Sequence, residues 1–472
     1  MTKLHRADPP ELADYYDFLR RKQRRVQERG LADVPALSEA MFPHQRDVTD
    51  FLLRVGSGAA FLDTGMGKTF VEHEFGRVIS ETTNKPVLML APPAVGPQHQ
   101  REAERFGLPV KHVREPSEIT GAGVWVTNYE RLHKFDTSLF GGLILDESSI
   151  VKSFTGKTSR MLIELAGGMR YKLAATATPA PNDHMELGQH SAFCGAMASN
   201  EMLARWFTAD QSQMGKYRLK KYGESDFWAW ITSWARMASK PSDLGHDDAG
   251  FALPKLSTDL HYVDVDITEA AADGELFRSV DVSATSIHKE KRRTALPRAE
   301  RVAELVANEP AEPWVIWCET DYEADALVSV IPKAVEVRGS MPLDTKEARL
   351  DAFVRGDERI LITKPSIAGY GLNLQHCARC AFVGLSFSYE SYYQAVRRFW
   401  RFGQQRPVQV HIAIAETEAV IWHTIQRKAR DHERMKSAMT GAMKKATQEY
   451  GVKLAYQPTQ PVRLPKFLEV AV

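Results

Sequence analysis

Short apolar runs alternate with longer amphipathic segments from about residue 42 onward. Gly, Pro or polar residues bound each run, and the stretches between them, such as 68–80 and 98–106, are long enough for crossover helices. Near-continuous apolar strands joined by helices are typical of a parallel sheet that is covered on both faces. The runs are AAFLD (59–63), PVLMLA (86–91), GVWVTN (123–128), GLILDE (142–147) and YKLAAT (171–176).

A second series of apolar runs begins after about residue 300. It consists of EPWVIWCE (312–319), ERILIT (358–363), CAFVGL (380–385) and VQVHIAI (408–414). The segment between the two series is rich in Trp and Met and is predicted to be mainly helical, followed by a Pro- and Gly-containing linker. We therefore predict an α/β fold of two lobes. The predicted division is an N-terminal helical extension (1–40), a first lobe (41–182), a helical insertion and linker (183–258), a second lobe (259–430) and a C-terminal tail (431–472).

The overall composition argues against a highly basic protein, a disulfide-rich protein and a membrane protein. Lys and Arg nearly balance Asp and Glu, giving a formal net charge of +1, so any nucleic-acid surface must be a local patch. Four cysteines in 472 residues favour a reducing compartment. The CxxC at 377–380 has no second pair at zinc-site spacing, so we interpret it as two ordinary thiols. With no long apolar run and no secretory signal, a cytoplasmic location without membrane association is expected.

The stretch DTGMGKT (63–69) lies directly after an apolar strand and before a predicted helix. Glycines in such a loop let the backbone turn its N–H groups toward a phosphate chain, and the helix N-terminus adds partial positive charge. Lys68 is then expected to reach the terminal phosphates and Thr69 to ligate Mg²⁺. The loop predicts nucleotide binding.

An acidic pair, Asp146 and Glu147, ends the apolar run GLILDE. In a parallel sheet, this strand end faces the same crevice as the phosphate loop. One carboxylate there can hold Mg²⁺, and the next can orient a water at the γ-phosphate. The pair therefore indicates hydrolysis of a nucleoside triphosphate.

The stretch RRFWRFGQ (397–404) combines three arginines with three aromatic residues. Basic side chains interleaved with rings are typical of binding to single-stranded nucleic acid. Arginines can instead stabilise the charge that develops on a phosphate during hydrolysis. The eight residues alone leave both interpretations open.

Taken in order, these and further segments resemble the motifs of superfamily-two helicases, specifically those of the Swi/Snf-type translocase branch. The resemblance covers residues from about 42 to about 430. In the first lobe the segments are FPHQRDVTDFLL (42–53), FLDTGMGKT (61–69), VLMLAPPAV (87–95), VTNYERL (126–132), LILDESS (143–149) and LAATATPAPND (173–183). In the second lobe they are WVIWCET (314–320), ITKPSIAGYGLNLQ (362–375) and QAVRRFWRFGQ (394–404).

The resemblance implies two RecA-like lobes with ATP bound in the cleft between them. It implies that Gln45 reads the adenine ring, and that Arg398 and Arg401 reach from the second lobe to the γ-phosphate. RRFWRFGQ then becomes an arginine-finger element. Besides Lys68 and Thr69, the residues expected to bind the nucleotide are Thr64, Gly65, Met66, Gly67, Gly371 and Gln394.

Some positions depart from the usual motifs of this branch. Ser148 and Ser149 replace Ala-His or Ala-Asp after the acidic pair, and Ala177 replaces a glycine. Trp400 stands where histidine is usual, and packing between the lobes is its expected role. Arg397 stands where an acidic residue is frequent, and the sequence assigns it no role.

The sequence thus predicts an ATP-dependent nucleic-acid motor that uses ATP and Mg²⁺. The leading hypothesis is a DNA-dependent ATPase that translocates on duplex DNA through contacts mainly to the backbone, in a bacterial cell or a phage-infected host. The alternatives are a strand-separating helicase and a nucleotide-regulated scaffold subunit without motor activity. The candidate DNA contacts are Arg131, Lys152, Lys157, Lys364 and the segment YRLKK (217–221).

Overall fold

The computed structural model describes residues 30–92, 95–152, 156–180, 184–209, 217–264, 284–368 and 374–450. Most of the predicted N-terminal extension, and Gly371 of the predicted nucleotide site, lie outside these residues. Within them, the chain forms two parallel sheets flanked by helices, which confirms the predicted pair of α/β lobes.

The strands and helices follow one another along both lobes. In chain order the strands are β1 (Ser57–Leu62), β2 (Pro86–Ala91), β3 (Val110–His112), β4 (Gly123–Asn128), β5 (Gly142–Asp146), β6 (Tyr171–Ala175), β7 (Phe207–Ala209), β8 (Tyr217–Leu219), β9 (Ala235–Ala238), β10 (Leu256–Val263), β11 (Trp314–Cys318), β12 (Val335–Val337), β13 (Ile360–Thr363), β14 (Arg379–Val383) and β15 (Val408–Ala415). The helices are α1 (Pro43–Val55), α2 (Lys68–Thr83), α3 (Gly96–Glu104), α4 (Lys157–Leu165), α5 (Leu187–Cys194), α6 (Ser199–Trp206), α7 (Glu224–Thr232), α8 (Ala284–Arg293), α9 (Ala295–Asn308), α10 (Asp321–Val330), α11 (Leu343–Arg355), α12 (Pro365–Ala368), α13 (Tyr389–Val396) and α14 (Ala419–Tyr450).

Both large sheets are parallel throughout. The first has the strand order β3-β4-β2-β5-β6-β1-β9, and the second has the order β10-β15-β14-β11-β13-β12. Strand β1 therefore has β6 on one side and β9 on the other. Because β1, β5 and β6 run the same way, the loops that follow them open at one edge of the sheet, where ligands bind in open α/β sheets.

Each sheet separates two apolar cores. Successive residues of a strand point to opposite faces, so Phe61 packs in one core of the first lobe and Leu62 in the other. In the second lobe, Trp317 and Ile316 are divided in the same way. This double burial explains why the strands appear in the sequence as continuous apolar runs.

The segment predicted as a helical insertion also contributes to the first sheet. Helices α5, α6 and α7 lie in it as expected, but β9 pairs in parallel with β1, and β7 and β8 form a separate antiparallel hairpin. Residues 183–258 are thus not wholly helical. The strand was missed because its four residues, ARMA, include an arginine and carry no long apolar run.

Helix α14 connects the cores of the two lobes. Its early residues Ile421 and Ile425 pack in a core of the second lobe, whereas Met435 and Met439 pack in a core of the first. The helix runs without a break across residue 430, where we predict the boundary between second lobe and tail. No helix in the described part of the chain is both long enough and apolar enough to cross a membrane.

Candidate active site

The phosphate loop connects β1 to α2 in a conformation that needs glycine. Gly65 and Gly67 have φ angles of 94° and 79°, in the left-handed region. A Cβ on Gly67 would lie 1.8 Å from Nε2 of Gln45, and one on Gly65 would lie 2.6 Å from the backbone nitrogen of Phe402. Helix α2 begins at Lys68, so its unpaired N–H groups and the positive end of its dipole lie at the loop.

Lys68 contacts both members of the acidic pair. Its Nζ lies 3.1 Å from Oδ1 of Asp146 and 3.0 Å from Oε1 of Glu147. Burial alone lowers the pKa of Lys68, but the two carboxylates outweigh it and raise that pKa above its usual value. Glu147 has a φ of 51°, and its backbone N–H donates to Oδ1 of Asp146 at 2.9 Å. The turn after β5 thus holds both carboxylates toward the lysine.

Two buried histidines lie behind Asp146, and no sequence motif predicted them. Nε2 of His99 is 3.1 Å from Oδ2 of Asp146, and Nδ1 of His99 is 2.9 Å from Nε2 of His73. Burial alone raises the pKa of Asp146, whereas Lys68 and His99 lower it well below its usual range. The hydroxyl of Tyr129 donates to the Asp146 carbonyl at 2.6 Å. These contacts fix the orientation of an ionised Asp146.

Glu72 on helix α2 is a second carboxyl group next to Asp146. It is fully buried, and burial together with the negative charge of Asp146 raises its pKa well above the usual range. Ligand atoms of Glu72, His99 and Asp146 lie within 4.8 Å of one another, a group able to hold a metal ion. The two predicted Mg²⁺ ligands, Thr69 and Asp146, both line the cleft described next.

One cleft brings residues of both lobes together. The residues that were predicted for the site and that line this cleft are Thr64, Gly65, Gly67, Lys68, Thr69, Asp146, Glu147, Arg398 and Arg401. Helix α13 ends at Val396, so a turn carries Arg398 and Arg401. The three-residue spacing of the two arginines suggests that they share one face of a helix, and the structure shows that this expectation is wrong. Arg398 donates from Nη2 to Oε1 of Gln394 at 3.2 Å. Burial lowers the pKa of Arg401, and the charge of Glu102 opposes that effect.

Three predicted nucleotide-binding residues lie behind the cleft and do not line it. Gln45 donates from Nε2 to the carbonyl of Met66 at 3.2 Å and accepts the N–H of Phe42 at 3.0 Å. Met66 and Gln394 are buried. Gln45 therefore braces the phosphate loop through Met66.

The positions that depart from the usual motifs have defined contacts. Oγ of Ser148 is 3.2 Å from Nε2 of His190, on helix α5. Thr176, which directly follows strand β6, donates from its hydroxyl to Oε2 of Glu147 at 3.3 Å. This hydrogen bond links the end of β6 to the acidic pair. The four cysteines are unpaired thiols, and each is buried.

The candidate DNA contacts are only partly described. Arg131 donates to the Arg114 carbonyl and lies 3.5 Å from Glu115, and Lys364 forms an ion pair of 2.7 Å with Asp321. Lys220 donates from Nζ to two carbonyls of helix α6. The side chains of Lys152 and Lys157 lie outside the described part of the structure.

Comparison with known proteins supports the assignment of the second lobe. Residues 297–403 match the family model described as the helicase conserved C-terminal domain. No curated protein matches the chain. Among solved structures, the SWI2/SNF2 ATPase core of Sulfolobus solfataricus in complex with dsDNA is 17% identical, with 92% of this chain and 100% of that chain covered and a TM-score of 0.40. Residues 297–403 of the second lobe, which include Arg398 and Arg401, are therefore similar to helicase C-terminal domains, and this similarity agrees with the predicted resemblance to superfamily-two helicases.

Proposed function

We propose that the chain is an ATP-dependent nucleic-acid motor of the Swi/Snf-type branch, which hydrolyses ATP while it translocates on duplex DNA in the cytoplasm. The observation that carries the proposal is the composition of one cleft. Lys68 and the acidic pair of the first lobe face Arg398 and Arg401 of the second across it. A cleft that needs both lobes for its chemistry converts hydrolysis into relative movement of the lobes.

The side chains of the cleft have different roles in phosphoryl transfer. The loop N–H groups and Lys68 bind the β- and γ-phosphates, and Glu147 orients a water for attack on the γ-phosphorus. The bond between that phosphorus and the bridging oxygen of ADP breaks, and the water passes its proton to the carboxylate of Glu147 as the new P–O bond forms. Thr69 and Asp146 would hold Mg²⁺, which neutralises charge on the phosphate oxygens. Arg398 and Arg401 stabilise the charge that accumulates in the transition state.

Glu147→Gln tests the hydrolytic role. The amide keeps the size of the side chain but cannot accept a proton from water, so we expect retained ATP binding with turnover reduced on the order of a thousandfold. Equilibrium titration with a fluorescent ATP analogue measures binding, and phosphate release measures turnover. Turnover equal to that of the unchanged protein would refute the role of Glu147.

The choice of nucleic acid is tested by measuring phosphate release with no nucleic acid, single-stranded DNA, duplex DNA and RNA. The proposal predicts the greatest stimulation by duplex DNA, without strand displacement from a partial duplex. Stimulation by RNA alone would contradict the DNA assignment. Displacement of a strand would favour the helicase alternative, and ATP binding without any turnover would favour the scaffold alternative.

A further inference from the structure

The carboxylate of Asp63 is a meeting point of the two lobes. Asp63 follows strand β1 and begins the phosphate loop, where its Oδ1 accepts the N–H of Thr64 at 2.8 Å. From the second lobe, the Tyr393 hydroxyl donates to Oδ1 and Arg397 donates from Nη2 to Oδ2, each at 2.5 Å. Lys436 of helix α14 donates to Oδ2 at 2.8 Å. Four donors from three parts of the chain thus share one carboxylate.

The cluster is buried and strongly charged. Asp63, Arg397 and Lys436 expose between 4% and 6% of their surface. Burial by itself raises the pKa of Asp63, but Arg397 and Lys436 lower it to about 2, so the carboxylate is ionised at neutral pH. A buried ion pair whose geometry is this complete holds its partners in one arrangement, because separation leaves charges without water or a partner.

Arg397 also fixes the turn that carries the two cleft arginines. Its guanidinium lies 5.2 Å from the ring centre of Tyr393 and 4.5 Å from that of Trp400. It donates from Nη1 to the Trp400 carbonyl at 3.3 Å. Trp400 in turn donates from its indole nitrogen to the Pro254 carbonyl at 2.7 Å. Arg397 therefore holds the backbone at Trp400, between Arg398 and Arg401.

We propose that Arg397 is a positioning residue for phosphoryl transfer, with Asp63 as its anchor: it ties the turn that carries Arg398 and Arg401 to the base of the phosphate loop. Lys436 shares the anchor and brings helix α14 into the same contact. The inference rests on the proposed ATP hydrolysis and adds to it a residue that does not touch the phosphates. Misplacing a catalytic group by about 1 Å can cost on the order of a hundredfold in rate.

The experiment compares three variants of the full chain. Arg397→Met removes the charge and keeps an unbranched side chain, and Arg397→Lys keeps a cation without the planar fork. The control is Arg355→Met, because Arg355 is an exposed arginine of the second lobe whose ion pair with Asp357 lies on the surface. For each protein, kcat and KM for duplex-stimulated ATP hydrolysis are measured, together with hydrogen–deuterium exchange of peptides covering residues 389–404 in the absence of ATP.

The proposal predicts a specific division of the kinetic effect. Arg397→Met should lower kcat by about ten- to a hundredfold and change KM by less than about threefold, since Lys68 and the loop still bind the nucleotide. The kcat of Arg397→Lys should lie between that of Arg397→Met and that of the unchanged protein. The kcat and KM of Arg355→Met should match those of the unchanged protein. An unchanged kcat in Arg397→Met, or the same loss in Arg397→Lys as in Arg397→Met, would overturn the proposal.

The exchange measurement separates this inference from the proposed function. Faster exchange of residues 389–404 in Arg397→Met, but not in Arg355→Met, supports the anchor even if the unchanged protein hydrolyses no ATP. Exchange as slow as that of the unchanged protein overturns it. If Arg397→Met does not fold, the same comparison applies to Arg397→Lys, which keeps a cation beside Asp63.

Discussion

Replacing Asp63 by Asn removes the buried negative charge that Arg397 and Lys436 share, and leaves Lys436 with the exposed Glu433 at 3.5 Å. The side chains of Arg397 and Lys436 are each 7% exposed, so water cannot replace the lost partner. Removing one member of a buried ion pair costs roughly 3–5 kcal/mol. The pKa of about 2, against 3.8 for a free side chain, gives a separate figure of roughly 2.5 kcal/mol at about 1.4 kcal/mol per pH unit. We expect Asp63→Asn to lower the free energy of unfolding by an amount in this range.

The charges of the cluster also predict the sign and the size of the coupling between substitutions at Asp63 and Arg397. Arg397→Met leaves Asp63 and Lys436 as a neutral pair, so it should destabilise less than Asp63→Asn does. In the double variant, the methionine removes a cation that has already lost its partner. The double variant should therefore be more stable than the sum of the two single effects predicts, by roughly 1–3 kcal/mol.

Urea unfolding monitored by tryptophan fluorescence measures all four members of this cycle. Asp357→Asn is the matched control, because Asp357 is exposed and pairs with Arg355 on the surface. The stabilisation by Asp63 is complete above pH 3.8 and is lost as the pH falls toward 2, since the folded protein has the lower pKa. Strictly additive effects, or an Asp63→Asn effect within about 0.5 kcal/mol of the control, would refute the charge argument.

Three further predictions concern the cleft and its surroundings. Arg398→Ala should lower kcat on the order of a thousandfold with little change in the affinity for a fluorescent ATP analogue, and a loss confined to affinity would contradict its placement at the γ-phosphate. Gly65→Ala should abolish ATP binding in the same titration, because its φ is 94° and its Cβ would meet the Phe402 backbone at 2.6 Å; Gly167→Ala, at a glycine with open space around it, is the control. If the protein holds the DNA backbone, the logarithm of its affinity for duplex DNA should fall linearly with the logarithm of salt concentration and depend little on sequence; an affinity independent of salt would contradict backbone binding.

Most of the strands, the phosphate loop and the acidic pair could be predicted from local patterns in the sequence. Each of the nine predicted apolar runs contains a strand, with ends shifted by at most a few residues. The phosphate loop and the acidic pair meet through Lys68 as expected, because parallel strands deliver their carboxyl ends to one edge. These features depend on residues close in sequence or on the direction of neighbouring strands.

The missed features depend on contacts between distant residues. Asp63 and Arg397 are separated by 334 positions, and Asp63 and Lys436 by 373. In the sequence, Arg397 was one of three arginines beside three aromatic rings, with nothing to indicate a buried carboxylate as its partner. His73 and His99 lie on two different helices with no recognisable spacing between them. Strand β9 is only four residues long and carries an arginine, so no apolar pattern marked it.

Helix α14 determines the order in which the two lobes can complete their folding during synthesis. Met435 and Met439, which help to fill a core of the first lobe, follow almost the whole of the second lobe in the chain. A nascent chain that ends before residue 435 leaves helix α7, which packs against α14, without these two core residues. The first lobe therefore completes its packing only after the second lobe has left the ribosome, so a chain truncated at residue 430 would lack part of the core of the lobe that is synthesised first.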